Sequence, residues 1–479
     1  MRKISLTADV LVVGAGPVGM VLANILKRNG LQVVLIDKRA GRPECPRAIA
    51  INQSTLDVFA ILGMTEVFKA GLKVEQINLF WKHKFLGKLS FEGSLFEAPY
   101  FFHIPQNEIE KYLENTLSAI DLEVQRECEL INYSQNDQSV YSLIKTKDEL
   151  FTIKSKFLIG CDGGQSKVRD IMACGVDQQY YGPTFVLADV LLDEFDHKNT
   201  NYIFTRNGYL MIVPLPRNQY RLIFSLLPTA TDTKDDCLDL RSIQKLLEER
   251  SHQKIVIKEL IWTTKAQYGH RISHAVYQDK VVLAGDSLHQ FSPVGGTNMN
   301  VGIQDAYALA WRLIDETKDI HTHLQEYSFE RREVIQKQKQ ITEWITSLIT
   351  RSKQCVFKDK NKNLNDLLTI LTGMRCGQKL AHLQSVIKYS DFKNYLSSIR
   401  EAFASANYVL LTRGILSPVL QQKIKQMIVE NQLITWVDNP TSHSFEFYFC
   451  RPDAMVIDSG NLEGIGNFLD SINIGVVNE

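Results

Sequence analysis

Three short segments, far apart in the chain, carry residue types that could do chemistry. In Gly14-Ala15-Gly16-Pro17-Val18-Gly19 the first glycine permits a sharp turn. The second lets backbone approach a pyrophosphate without a Cβ, and the third lets a helix pack closely on a strand. Helix amides after the turn would face the phosphates. Asp37, followed by Lys38, closes the next β-branched run, where a carboxylate can accept hydrogen bonds from ribose hydroxyls. Strand before, helix after and carboxylate behind raise this above a bare glycine-rich turn and predict dinucleotide binding. The second segment, Asp162-Gly163-Gly164-Gln165-Ser166-Lys167-Val168-Arg169, places an Asp-Gly turn after a strand, with Ser166 able to cap a helix. The third puts Gly285-Asp286 at the end of the Val281 to Ala284 strand. It continues as Pro293-Val294-Gly295-Gly296-Thr297-Asn298-Met299-Asn300, opening a helix whose first amides could stabilise electron-rich oxygen.

The elements that must position these segments follow from periodicity. Val10 to Val13, Val18 to Arg28 and Val33 to Asp37 predict a strand–helix–strand unit. Gln53 to Leu62 reads as a helix and Ile77 to Phe91 as extended. Asn107 to Leu117 is an amphipathic helix with Ile109, Tyr112, Leu113 and Thr116 on one side. Strands follow at Leu122 to Ile131, Tyr141 to Lys145 and Phe151 to Ile159. From Tyr180 to Thr264 the pattern is mostly strands, for example Tyr209 to Leu215 and Tyr220 to Leu226 about a Pro216-Arg217-Asn218-Gln219 turn. Helix is expected from Asn300 through about Arg351.

The predicted fold class is α/β. A discontinuous Rossmann-like nucleotide domain occupies residues 1–179, with a short excursion near 77–102 toward the substrate side, and resumes at 268–372 with a helical segment. An antiparallel β-sheet domain is inserted at 180–267, and a final domain covers 373–479.

Composition narrows the function. The chain has 479 residues, 44% hydrophobic and 23% charged, enough for two or three cores of ordinary globular type. Its 54 basic and 54 acidic residues leave no net charge to draw a polyanion, so no nucleic-acid partner is expected. Eight cysteines show neither a CxxC pair nor metal-ligand spacing; Cys161 and Cys174 read as buried reduced thiols, which suits a cytoplasmic setting and predicts no metal site. Met1-Arg2-Lys3 and the apolar stretch through Leu22 imitate a secretory signal, but Asp9 interrupts it and the glycines assign it to strand, turn and helix. No uninterrupted apolar run reaches about 18 residues, so no membrane span is expected.

Taken in order, the three segments resemble the FAD-dependent aromatic hydroxylases of the para-hydroxybenzoate hydroxylase type, the single-component flavoprotein monooxygenases. The resemblance implies that Asp162 and Gly163 touch FAD and help admit the nicotinamide cofactor, and that Asp286 binds a ribityl hydroxyl. Pro46-Arg47-Ala48 and Ile104-Pro105-Gln106 resemble the Arg-Ala and Pro-Gln pairs that approach the flavin in these enzymes. Relatives usually carry Gly-Gln-Gly where this chain has Gly296-Thr297-Asn298. Asparagine can adopt the left-handed backbone that glycine often supplies, which would preserve the loop; a reshaped loop is the alternative.

On the inserted strands, Arg206, Tyr209, Tyr220, Arg221 and His270 are candidates for the substrate side, although alternate strand positions face away. His289 reads as readily as a structural hydrogen-bonding residue as an acid or base, and no catalytic residue is assigned. Gly373-Met374-Arg375, Tyr408 to Leu411 and Arg451-Pro452-Asp453 are similar to the thioredoxin-like C-terminal domain of phenol and polyketide hydroxylases. Without CxxC, its expected role is structural or a subunit contact, such as a homodimer. The implied activity is hydroxylation of an aromatic small molecule, phenolic or polyketide-like, with FAD, NADPH or NADH as co-substrate, and O₂. Only one nucleotide fold is evident, so the nicotinamide cofactor would bind without its own. Two alternatives stay open: the same fold applied to epoxidation, antibiotic inactivation or reduction, and a non-catalytic FAD-binding interaction protein.

Overall fold

The computed structural model describes residues 4–43, 48–74, 76–90, 101–193, 195–205, 208–226, 238–251, 253–292, 296–350, 405, 408–413, 416–430, 434–439, 446–450, 456–461 and 465. Its first sheet is centred on β1 (Ile4–Val13), which runs parallel to β2 (Val33–Ile36) on one side and β11 (Leu150–Gly160) on the other. β8 (Val124–Gln125) adds beyond β2, and β18 (Val281–Leu283) beyond β11. Val10, Leu11, Val12 and Val13 are all buried, as a strand covered on both faces requires. β9 (Glu129–Gln135), β10 (Val140–Lys145) and β17 (Tyr277–Gln278) complete the sheet by antiparallel pairing. The ends of β1, β11 and β18 therefore lie side by side, and each is followed by one of the glycine turns.

Helix α1 (Pro17–Arg28) packs against α7 (Asn298–Ile314) and α4 (Gln106–Ser118). The helical stretch after Asn300 is two helices: α7 stops where Asp315 turns extended (ψ 111°), and α8 (Ile320–Thr350) starts anew. A small sheet of β3 (Ala50–Ile51), β4 (Leu72–Val74) and β7 (Phe101–His103) precedes α4, with α2 (Gln53–Ile61) and α3 (Thr65–Ala70) between its strands.

The second large sheet runs β19-β16-β12-β15-β14-β13-β5-β6, where β19 is the short strand His289–Gln290. Its long strands β12 (Val176–Leu192) and β16 (Ile257–Ser273) extend past the predicted Tyr180 to Thr264 limits at both ends. β13 (Asn199–Thr205), β14 (Gly208–Leu215) and β15 (Gln219–Leu226) follow as an antiparallel meander. β5 (Gln76–Trp81) joins it in parallel with β13, and β6 (Lys84–Ser90) forms the edge. The sheet is thus mixed rather than purely antiparallel. One face is covered by α6 (Leu240–Ser251), a helix the strand-rich pattern did not suggest. The other carries Phe185, Leu187, Tyr202, Tyr209 and Met211, packed with Ile49 beside β3 and with Ile341 and Trp344 of α8.

In the C-terminal region, β20 (Tyr408–Arg413), α9 (Pro418–Glu430) and β21 (Ile434–Asn439) form a parallel unit. β22 (Glu446–Cys450) lies antiparallel to β20, and β23 (Val456–Asn461) to β22, giving the order β21-β20-β22-β23 of a thioredoxin-like sheet. Gly373 to Arg375 and Arg451 to Asp453 lie outside the described residues. The Tyr408 hydroxyl donates to Asp315 (3.3 Å), fastening this sheet to the α7–α8 junction.

Arg221 and Asp189 face each other across β15 and β12 and are 1% and 3% exposed. Two parallel bonds join them, Nε to Oδ1 (2.7 Å) and Nη2 to Oδ2 (2.8 Å), with the guanidinium 5.5 Å from the Trp262 ring. Losing one partner would break a buried bidentate pair and leave the other charge without its opposite. Asp189→Ala should lower the unfolding free energy by about 3–5 kcal/mol, whereas Asp189→Leu with Arg221→Met should recover most of that loss. Urea denaturation of the three proteins measures it, and a single variant as stable as the parent would refute the assignment.

Candidate cofactor-binding site

The site is built where the glycine turns touch. Gly14 has φ +104°, and a Cβ there would lie 2.4 Å from the Cys161 carbonyl oxygen. One on Gly19 would lie 2.0 Å from the Gly14 oxygen, so the two glycines let α1 and the β11 end close upon the turn. Gly16, the residue before α1, differs: a Cβ there would meet nothing within 4 Å. The space before the α1 N-terminus is open, and Pro17 starts the helix where no amide hydrogen is needed for an intrahelical bond.

Asp37 braces this turn from behind. Its Oδ2 accepts from the Ala15 amide (2.8 Å) and its Oδ1 from the Arg39 amide (2.8 Å) and Nε (3.0 Å). Burial works against its charge, yet the Arg39 guanidinium and the two amides hold the carboxyl below its usual range. Lys38 points to solvent.

Asp162 spends both oxygens on its own loop. Ser166 Oγ donates to Oδ1 (2.5 Å), and the Lys167 (2.6 Å) and Val168 (3.1 Å) amides donate to Oδ2, capping the short helix α5 (Lys167–Met172). Burial raises its pKa despite those bonds. What the turn presents is backbone: Gly163 has φ +82°, and the Gly164 carbonyl accepts from Arg169 (2.8 Å) and Arg271 (2.6 Å).

Gly285, at φ +65°, lies against Val18, and Gly302 of α7 approaches the same side chain: Cβ atoms there would fall 2.9 and 2.7 Å from Val18. The half-buried Asp286 follows on a single 3₁₀ turn. The Gly285 amide donates to Asp305 Oδ2 (2.9 Å), which also pairs with His289 Nε2 (2.6 Å), while Arg331 Nη2 lies 2.5 Å from Oδ1. All three side chains are fully buried. Burial opposes the Asp305 charge, and Arg331 and His289 together keep its pKa low. Asp305 and Arg331 were not identified from sequence. The available signal was a lone carboxylate within the apolar run from Val301 to Ala310.

The head of α7 does not use a left-handed asparagine. Asn298 is the first helical residue and is not left-handed; the positive φ, +65°, belongs to Gly296, against Ala50. A helical backbone frees the Asn298 amide to reach back, with Oδ1 accepting from Phe291 N and Nδ2 donating to Phe291 O, both at 2.8 Å. Asn300 ties the other side: Oδ1 accepts from the Asn52 amide (2.9 Å), and Nδ2 donates to Ala50 (2.9 Å) and Gly296 (2.7 Å) carbonyls. Met299 is buried between them. Gln106, which begins α4, accepts from the Ala48 amide (3.3 Å) and donates to Glu110 (2.8 Å), so Ala48 to Asn52 bridges α4 and α7. Arg47, Pro293 and Gly295 lie outside the described residues.

Of the substrate-side candidates, Arg206 is also outside the described residues. Arg221 is sequestered by Asp189, and Tyr220 turns to the α6 face, donating to the Phe195 carbonyl (2.8 Å). His270 lies buried between Asp177 (3.3 Å) and Glu343 (3.5 Å). Tyr209 is on the face shared with Ile49, its ring 5.9 Å from Tyr202 and 5.7 Å from Phe204. Among the described residues its buried hydroxyl has no hydrogen-bond partner, and burial pushes its pKa well up. The structure thus gathers the glycine turns, Asp37, Gln106 and the α7 head, and brings Tyr209 to the sheet face beside them. Open space at Gly16, two helix N-termini and a buried unpartnered hydroxyl at Thr297 suit a dinucleotide carrying a polar ring system. Among the described residues, no group of three His, Cys, Asp or Glu side chains could hold a metal ion, and no helix is long and apolar enough to cross a membrane.

The chain belongs to the family described as FAD binding domain, whose model matches residues 7–342. Over 311 residues it is 29% identical to the Bacillus subtilis protein YhjG, named an uncharacterized aromatic compound monooxygenase; the match covers 64% of this chain and 61% of that relative. The chain therefore spans less than two-thirds of that relative's length. Anhydrotetracycline hydroxylase OxyS from Streptomyces rimosus shares the fold over 97% of this chain and 99% of its own, with TM-score 0.74 and 20% identity. Aklavinone-11 hydroxylase, solved with FAD and aklavinone, does so over 98% and 99%, with TM-score 0.75 and 17% identity.

Gly14 and Gly16 should respond differently to an added methyl. Gly14→Ala meets backbone at a positive φ and should lower the melting temperature of the cofactor-free protein by several degrees, roughly the effect of 1–3 kcal/mol of strain. Gly16→Ala should leave that melting temperature near the parent's while weakening FAD binding. Thermal melts with FAD titration check both, and equal behaviour of the two variants would count against an open phosphate position at Gly16.

Proposed function

We propose that this protein is a flavin-dependent monooxygenase that uses NADPH or NADH and O₂ to hydroxylate an aromatic small molecule of phenolic or polyketide-like character. The observation that carries the reading is the convergence of separately encoded segments at the strand ends: Gly14 lies against Cys161 and Asp162, Val18 against Gly285 and against Gly302 of α7, and Gly16 beside them has nothing within 4 Å of a Cβ position. Relatives named as aromatic monooxygenases and hydroxylases support the choice of chemistry.

In this reading, the α1 amides and the gap at Gly16 take the pyrophosphate of FAD. Asp37 and Asp286 meet the ribose and ribityl hydroxyls, Gln106 approaches the ribityl chain, and the α7 amides face the ring. Bound FAD supplies the redox chemistry that activates oxygen, for which no side chain has an equivalent. The protein's own contribution is position and exclusion of water. Asp305 fixes the Gly285 amide and thus the aim of Asp286. The apolar sheet face beside Ile49 offers a dry wall for a planar substrate, and the buried Tyr209 hydroxyl, which has no hydrogen-bond partner among the described residues, is the group on it that would orient a substrate oxygen.

Denaturing the purified protein should release free FAD, and Asp286→Ala should weaken FAD binding by an amount equivalent to about 1–3 kcal/mol, because a buried hydroxyl loses its acceptor. A suitable phenol should accelerate NADPH or NADH oxidation, with one atom from ¹⁸O₂ appearing in the product. Release of FMN, flavin retained on the denatured chain, or cofactor oxidation with no labelled product from any phenol tested would each contradict the proposal.

A further inference from the structure

Thr297 precedes α7 at the N-cap, where a threonine hydroxyl ordinarily accepts a hydrogen bond from an amide of the first turn. Here it makes no such bond. The residue is 6% exposed, and among the described residues Oγ1 has no hydrogen-bond partner. A hydroxyl buried in that condition is costly unless something else meets it.

The neighbouring side chains do different work. Within Gly296 to Asn300, Asn298 and Asn300 commit their amides to the backbone of Phe291, Ala50, Asn52 and Gly296. The turn is fastened on both sides, so Thr297 has little freedom to rotate its backbone toward a better partner. Its hydroxyl is the polar side-chain group of this turn left over from that fastening. It sits at the end of a 17-residue helix with no acidic residue in its first turn, where free amides favour electron-rich oxygen.

We propose that Thr297 Oγ1 is a direct side-chain contact to bound FAD, hydrogen-bonding a polar edge of the isoalloxazine ring at the head of α7. The inference rests on the flavin reading above and adds a side-chain contact to the backbone amides. A hydroxyl both donates and accepts, so it can serve either a ring carbonyl or a ring N–H. Asn298 and Asn300 are then positioning residues that hold Thr297 in place.

The test compares Thr297→Val, which keeps shape and removes the hydroxyl, with Thr297→Ser, which keeps the hydroxyl and removes the methyl. FAD affinity by fluorescence titration, the visible spectrum of the bound flavin and the melting temperature of the cofactor-free protein are read for each. Thr297→Val should bind FAD about tenfold more weakly, with a shifted flavin spectrum, while its cofactor-free melting temperature is no lower than the parent's. Thr297→Ser should keep parental affinity and spectrum. If valine does not fold, Thr297→Ala takes its place in the comparison with serine. FAD affinity and spectrum unchanged in Thr297→Val, or a serine variant as impaired as valine, would overturn the contact. A parent protein that binds no FAD would overturn the flavin reading itself, an outcome distinct from either.

Discussion

The Asp305 carboxylate of α7 is buried completely, and through it α7 is tied to two other regions of the chain. It meets the Gly285 amide, His289 and Arg331, groups from the Gly-Asp turn, the strand after it and α8. Separating such a charge from its partners inside protein costs several kcal/mol, more than a surface contact could return. The arrangement extends outward from there. The His289 ring stacks on Phe291 (5.1 Å between centroids), and the Asn298 amide grips both backbone groups of Phe291. A carboxylate that touches neither ring nor phosphate in this reading thus sets the distance between the Gly-Asp turn and the head of α7.

Close approach does the complementary work on the α1 side. Val18 sits against Gly285 and Gly302, and Gly14 against Cys161 and Asp162, so the three strand ends are drawn together by the absence of side chains. Interior packing leaves no slack for an extra methyl at such points. Gly16 stands outside this scheme, because a Cβ there would meet nothing within 4 Å and packing does not require a glycine at that position.

Local patterns made much of this legible in sequence. The β1–α1–β2 unit, the glycine fingerprints and Asp37 are readable because each depends on neighbours within a few residues. The Asp305–Arg331 pair was hidden because its partners are 26 positions apart on two helices. Arg221 looked available for substrate because nothing in a strand announces its cross-strand partner; pairing with Asp189 appears only once the register is known. The backbone of Asn298 was left open by the sequence for a related reason. Its preference for left-handed backbone is a local property, and the two bonds to Phe291, a long-range gain, favour the helical conformation instead.

Strand β16 joins events that look separate. Near its end Ile272 pairs with His289, the Ser273 amide donates to Leu288 (2.8 Å), and Arg271 holds the Gly164 carbonyl. A single strand therefore belongs at once to the second large sheet, the Asp-Gly turn and the Gly-Asp turn. The opposite edge of that sheet, β6, is seven strand spacings away from β19, about 34 Å at ~4.8 Å per strand. A change in the last residues of β16 would therefore be transmitted to the sheet and to both turns at once, whereas one in β6 reaches neither turn except through the whole width of the sheet.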